Sequence, residues 1–182
     1  VFGVPLSLGS VTALQEQLGE ALAPAHEEIA NEVRPAPVKN VDETGWRQGK
    51  SKAWLWVAVT ALLSVFLIRP NRNRAAFDAL AGPTPGVLTT DRFPVYTHLT
   101  GRRRQVCWAH LRRDFQAMID RTDAASEIGE DLLLHANILF AHWERVRDGT
   151  RSRRWFERTH AGWLRAEVKT LLERGAASAC AK

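Results

Sequence analysis

The sequence predicts an α/β protein: a mixed sheet with helices on its faces and a helical C-terminal extension. Three observations predict it. The segment AWLWVAVT (53–60) is apolar on both faces, as a covered central strand must be. Shorter strand-like segments surround it, separated first by turns and then by a helical stretch. From about residue 109 onward, apolar residues recur at helical spacing to the end of the chain.

Taken in order, residues 1–37 read as a helical leader. Ser10 is placed to cap a helix carrying Leu14, Leu18 and Leu22, and Pro24 suits the first turn of a second helix reaching about Val33. RPAPVKN (34–40) ends it. A first strand is expected from Val38 to about Asp42, then a turn at QGKSK, the apolar strand 53–60, and a third strand over 64–70 paired with it as a hairpin. NRAAFDALAG (73–82) predicts a helix closed by Gly82. A fourth strand over 86–93 ends near Asp91, and a fifth over 103–110 leads into a helix from about Ala109 to Ile119. Three strands in quick succession suit an antiparallel meander, and two later strands reached by crossovers suit parallel pairing. Beyond residue 120, Leu132, Ala136, Leu139, Phe140 and Trp143 form one helix face, and Leu164, Val168, Leu171 and Leu172 another. The expected division is a leader (1–37), a sheet-bearing core (38–120) and a helical extension (121–182).

The net charge of +5 is unevenly spread: residues 1–40 carry −3 and the remainder +8, and 20 of the 25 basic side chains are Arg. The planar guanidinium fork matches phosphate, so the balance points to a nucleic-acid partner. The two cysteines, Cys107 and Cys180, are too far apart for a paired metal spacing, which argues for a reducing compartment. No run is long enough to span a membrane, and no signal peptide is evident. The chain starts at Val1 and stops in GAASACAK, which reads as an internal piece of something longer.

The chemistry centres on VDETGW (41–46), where two adjacent acids precede the apolar strand. A carboxylate there must be solvated, paired or holding a cation. With Asp42 ending the first strand and Asp91 the fourth, parallel pairing of those strands brings both acids to one sheet margin. Active sites of open sheets favour that margin. Carboxylates there suit Mg²⁺, a hard ion that prefers oxygen ligands. The competing reading is that both acids cap local turns. Glu43 points to the opposite face if the strand persists, which argues against it as a second ligand.

The ordered segments NVDETGWR, KAWLWVAVT, GVLTTDRFPVYTHL and RRRQVCWAHLRRDF resemble the DDE transposases of bacterial insertion sequences, specifically the insertion-sequence-66 family. FGVPLSLGSVTAL and LLERGAASACAK are also similar to that family's chain, so the resemblance spans essentially all 182 residues. It implies a ribonuclease H-like core over 38–120, with Asp42 and Asp91 as catalytic acids holding Mg²⁺ or Mn²⁺, two ions in the intact enzyme. It also implies DNA cleavage and strand transfer on transposon ends and target, a homo-oligomeric transposition complex, and a cytoplasmic, nucleoid-associated location in bacteria. The family's third acid is a Glu in an N-x-x-E-R-like helix. No such motif occurs here, and neither Glu167 nor Glu173 matches its context, so the chain is expected to be inert alone. Two alternatives stand beside this reading: a DNA-binding remnant without catalysis, and a related nuclease acting on RNA–DNA hybrids.

Among the other candidates, Arg102, Arg103 and Arg104, with Arg112 and Arg113, form the densest basic cluster and are the expected nucleic-acid contacts. Arg72 and Arg74 flank Asn73 at a helix start, which also attracts anions. Trp46, Trp54 and Trp56 are all able to stack on bases; Trp54 and Trp56 are expected in the core, and Trp46 stays open between the two. Cys107 and His110 make a C-x-x-H pair, too few ligands for zinc, and the resemblance puts His110 beside the active site. His135 and His142 read as packing or surface residues, and Asp114 as a helix-surface acid paired with Arg112 or Arg113.

Overall fold

The computed structural model describes residue 3 and residues 5–121 and 123–178; Cys180 lies outside them. The chain divides into two compact units, Val1–Cys107 and Trp108–Lys182.

The first unit opens with one long helix, α1 (Leu8–Val33). Two expectations change here. The N-cap is Ser7, whose Oγ accepts from the Ser10 N–H, so Ser10 lies in the first turn. The helix also continues through Pro24. Proline's fixed φ is itself helical, and the Glu20 carbonyl it leaves without a donor lies on an exposed stretch where water serves it.

Next come β1 (Val38–Gln48), β2 (Ser51–Val59), β3 (Ser64–Arg69), helix α2 (Arg74–Ala81), β4 (Val87–Thr90), a 3₁₀ turn at Pro94–Tyr96 and β5 (Arg104–Val106). The five strands form one mixed sheet in the order β3-β2-β1-β4-β5. The first three make an antiparallel meander, and β4 and β5 add in parallel beyond β1. β1 runs six residues past Asp42, further than the sequence suggests. A two-residue turn joins Gln48 to Ser51, and Gly49 takes the left-handed conformation it requires (φ 60°). This tight turn fixes the register, and the polar ETGWRQ stretch is carried into the ladder by its partners in β2.

Trp56, fully buried on β2, packs with Val41, Ala58, Phe77, Leu80, Leu88 and Tyr96 into the core of this unit. Trp54 is half-buried against it and Trp46 is exposed. Asn73 caps α2 by accepting from the Ala76 N–H, and Gly82 closes it.

One core position is a cation. Lys39 is fully buried on the inward face of β1. Its Nζ donates to the carbonyls of Val33 at 3.3 Å and Ala81 at 2.7 Å, and also to that of Arg34. It therefore ties the C-terminal ends of α1 and α2, where carbonyls lack helical partners and the dipole is negative. Burial lowers its pKa from 10.5 to about 8. Between those values the unfolded chain holds a proton that the folded chain has released, so this group makes stability rise with pH across that window. Lys39→Met keeps the volume but strands the carbonyls. It is expected to lose about 2 kcal/mol at neutral pH and to flatten the alkaline rise, as read by denaturant melts at several pH values.

The second unit is helical: α3 (Trp108–Ile119), α4 (Ala124–Arg147), a short α5 (Arg153–Phe156), a π-helical stretch over Glu157–Ala161, and α6 (Gly162–Ala177). Phe115, Ile128, Leu132, Ala136 and Leu171 form its core. Leu132 and Ala136 are thus on the buried face of α4, and Leu164 and Leu171 on that of α6, while Leu172 is exposed. His142 and His160 stack with ring centroids 3.7 Å apart, and burial lowers the pKa of His142. Among the described residues, no helix is long and apolar enough to cross a membrane.

Candidate metal centre

The register of two parallel strands brings Asp42 and Asp91 together. β1 and β4 pair Val38 with Val87, Lys39 with Leu88, and Asn40 with Thr89. Asp42 lies two residues past Asn40, and Asp91 two past Thr89. With a side-chain period of two, both therefore emerge on the same face at the point where the parallel ladder ends. Each offers a carboxylate oxygen within 4.8 Å of the other's. Asp42 is in mid-strand rather than at a strand end, but it stands where β1 loses β4 as its neighbour.

The backbone also orients each acid. The Glu43 N–H donates to Asp42 Oδ1 at 3.0 Å, and the Phe93 N–H donates to Asp91 Oδ1 at 2.9 Å. Asp42 is exposed and Asp91 half-buried, so a cation has access to both. Two carboxylates this close repel unless something positive sits between or beside them, and a hard divalent ion fits that donor set.

Glu43 takes no part in the pair. It faces the opposite side of β1 with a fully buried side chain. Arg72 donates to its Oε1 through Nε at 2.8 Å and Nη2 at 2.5 Å, and the Tyr96 hydroxyl donates to Oε2. Burial raises the pKa of Glu43 against the opposing pull of Tyr96 and Arg72, and burial followed by the Glu43 hydrogen bond raises that of Tyr96. Arg72 also lies 3.8 Å from Asp91 Oδ2, with its guanidinium carbon 3.6 Å from the Phe93 ring centroid and 4.9 Å from that of Trp54. Sequence reasoning did not find this network. The signals were an acid on an inward strand position, which needs partners, and the chain's single tyrosine.

The arginines divide by role. Arg102 and Arg103 are exposed in the turn before β5. Arg104 donates to Thr90 Oγ1 at 3.2 Å and to the Asp91 carbonyl at 2.8 Å, steadying the chain at the acid. Arg112 donates to Asn137 Oδ1 at 2.7 Å and lies over Phe140, while Arg113 is exposed on the same helix. Arg74 pairs with Asp78, and so is not simply held out for an anion. The helical unit has a cavity of about 730 Å³ lined by Trp108, Leu139, Phe156, Leu164, Val168 and Leu172 among others. Glu173 is the one carboxylate on that lining, which therefore offers no acid pair for a hard cation.

A family model described as Transposase IS66 family matches residues 1–182, the whole chain. No curated protein and no solved structure matches it.

Proposed function

Because this chain belongs to the IS66 family of transposases, we propose that Asp42 and Asp91 are catalytic acids of a divalent-metal centre that cuts and joins DNA. The observation carrying this reading is the approach of their carboxylate oxygens to within 4.8 Å. The sheet supports a ribonuclease H-like core: an antiparallel meander with two parallel strands added beside β1, and the acids where that parallel ladder stops.

In this reading Asp42 and Asp91 hold Mg²⁺ or Mn²⁺, two ions in the intact enzyme. Bound there, the metal supplies Lewis-acid stabilisation of phosphoryl oxygens and a more acidic water. The chain's own contribution is placement. The amides of Glu43 and Phe93 fix one oxygen of each acid; the other oxygen of Asp42 can turn towards a cation, and that of Asp91 lies 3.8 Å from Arg72 Nη2. The reaction is in-line attack on a DNA phosphodiester, first by water and then by a 3′-hydroxyl, with no covalent enzyme intermediate. Arg102, Arg103, Arg112 and Arg113, exposed on their elements, are proposed as phosphate contacts.

The experiment is cleavage of transposon-end DNA by the full-length transposase with Mg²⁺ and with EDTA. Nicking that requires Mg²⁺ and stops on chelation is expected. Metal-independent nicking would overturn the reading. Salt-sensitive DNA binding that survives EDTA, with no nicking in Mg²⁺, would establish the DNA-binding remnant instead.

A further inference from the structure

Arg72 lies in the link between β3 and α2, directly before the Asn73 cap. An ordinary buried ion pair would need only Glu43. Here Nη2, the nitrogen that donates to Glu43 at 2.5 Å, also lies 3.8 Å from Asp91 Oδ2. Nε and Nη2 both donate to the same Glu43 oxygen, which fixes the guanidinium, and the rings of Phe93 and Trp54 flank it.

The same residues reach the acids through the backbone. Glu43 gives its N–H to Asp42 and its side chain to Arg72. Phe93 gives its N–H to Asp91 and its ring to Arg72. Tyr96 closes the far side on Glu43 Oε2. Both members of the acid pair are thus held by residues whose side chains converge on one guanidinium.

We propose that Arg72 tunes the affinity of the acid pair: clamped on Glu43 between two aromatic rings, its guanidinium competes for the Asp91 carboxylate and sets how tightly the Asp42–Asp91 pair takes a divalent cation. The inference rests on the reading of that pair as a metal centre. Its sign follows from charge. The guanidinium competes with a cation for Asp91 and repels it, whereas the Glu43 carboxylate attracts it. Together the two form a nearly neutral pair, so the centre's affinity reflects their balance.

Titration of Mn²⁺ alone into the 182-residue chain, with free Mn²⁺ read by electron paramagnetic resonance, tests this. Arg72→Gln is expected to tighten binding about tenfold, and Glu43→Gln to weaken it about tenfold. The double variant is expected to fall within about threefold of the parent, because it removes both charges. A purely structural role predicts another pattern: every variant loosens the acids and weakens binding. Unchanged or weaker binding by Arg72→Gln overturns the proposal. If that variant does not fold, comparing Glu43→Gln with the double variant isolates the same guanidinium. Tightening on loss of Arg72 supports the proposal there, and no tightening overturns it. Asp42→Asn and Asp91→Asn separate the two levels of inference. If they bind Mn²⁺ like the parent, the metal centre itself is misplaced. If they abolish binding while Arg72→Gln changes nothing, only the role of Arg72 falls.

Discussion

Asp91→Asn in the full-length transposase is expected to lower strand cleavage about a thousandfold or more, since removing metal-borne charge stabilisation forfeits several kcal/mol in the transition state. Asparagine keeps the size of the side chain and its oxygen can still accept from the Phe93 amide, so the local turn survives. What it loses is the negative charge that a cation needs. Asp42→Asn should match it in direction and scale, because the two acids stand two residues beyond the paired positions Asn40 and Thr89. Binding to transposon-end DNA, proposed above to rest on Arg102, Arg103, Arg112 and Arg113, should change little. Single-turnover cleavage of labelled end DNA, with binding followed in parallel, checks both statements. Retained cleavage by either variant would remove that acid from the reaction.

The second large effect is structural and reaches the same pair. A Cβ added at Gly86 would lie 1.8 Å from the Pro37 carbonyl oxygen and 2.6 Å from its carbon. Those are backbone atoms, and that oxygen accepts the Val87 N–H at 2.8 Å, the first bond joining β4 to the chain leading into β1. No rotamer relieves the clash, so Gly86→Ala must push the strands apart. The expected destabilisation is about 4 kcal/mol or more, in the range seen when a substitution breaks packing outright. For a chain of this size that is roughly a 10 °C fall in Tm. Since the β1–β4 register is what aligns Asp42 with Asp91, any folded remainder should also bind Mn²⁺ poorly. Gly45→Ala is the control. Nothing lies within 4 Å of the added methyl there, and the change should stay within about 0.5 kcal/mol. Thermal denaturation of the two variants side by side gives the comparison.

How much of this was legible in the sequence depended on the range of the interaction. The meander, α2 with its Asn and Gly boundaries, and the placement of β4 follow from local signals: apolar runs, a tight turn, a cap. The approach of Asp42 to Asp91 was legible because one assumption, parallel pairing of the first and fourth strands, carries both acids to the same place. The exact position of Asp42 within β1 was not, because strand length past it is set by pairing with β2 rather than by the polar residues themselves. Pro24 misled for a similar reason: a local breaker was overridden on an exposed helix, where water replaces the lost bond. The Glu43–Arg72–Tyr96 network was invisible because its partners lie 29 and 53 residues apart along the chain, and the Lys39 tie because it closes only through Ala81, 42 residues away. A sequence shows that an inward-facing charge needs a partner, but not which residue supplies it. The two His side chains that stack on α4 and the π-helical stretch were likewise beyond any spacing rule.

The most direct test of the whole account is a crystal of this chain soaked in Mn²⁺, with anomalous diffraction collected at the manganese edge. A peak bridging Asp42 and Asp91 is expected, with carboxylate oxygens at about 2.1–2.2 Å, close to the distances hard divalent ions adopt. A peak elsewhere with none between those two side chains, at a concentration that supports cleavage by the full-length protein, would contradict it.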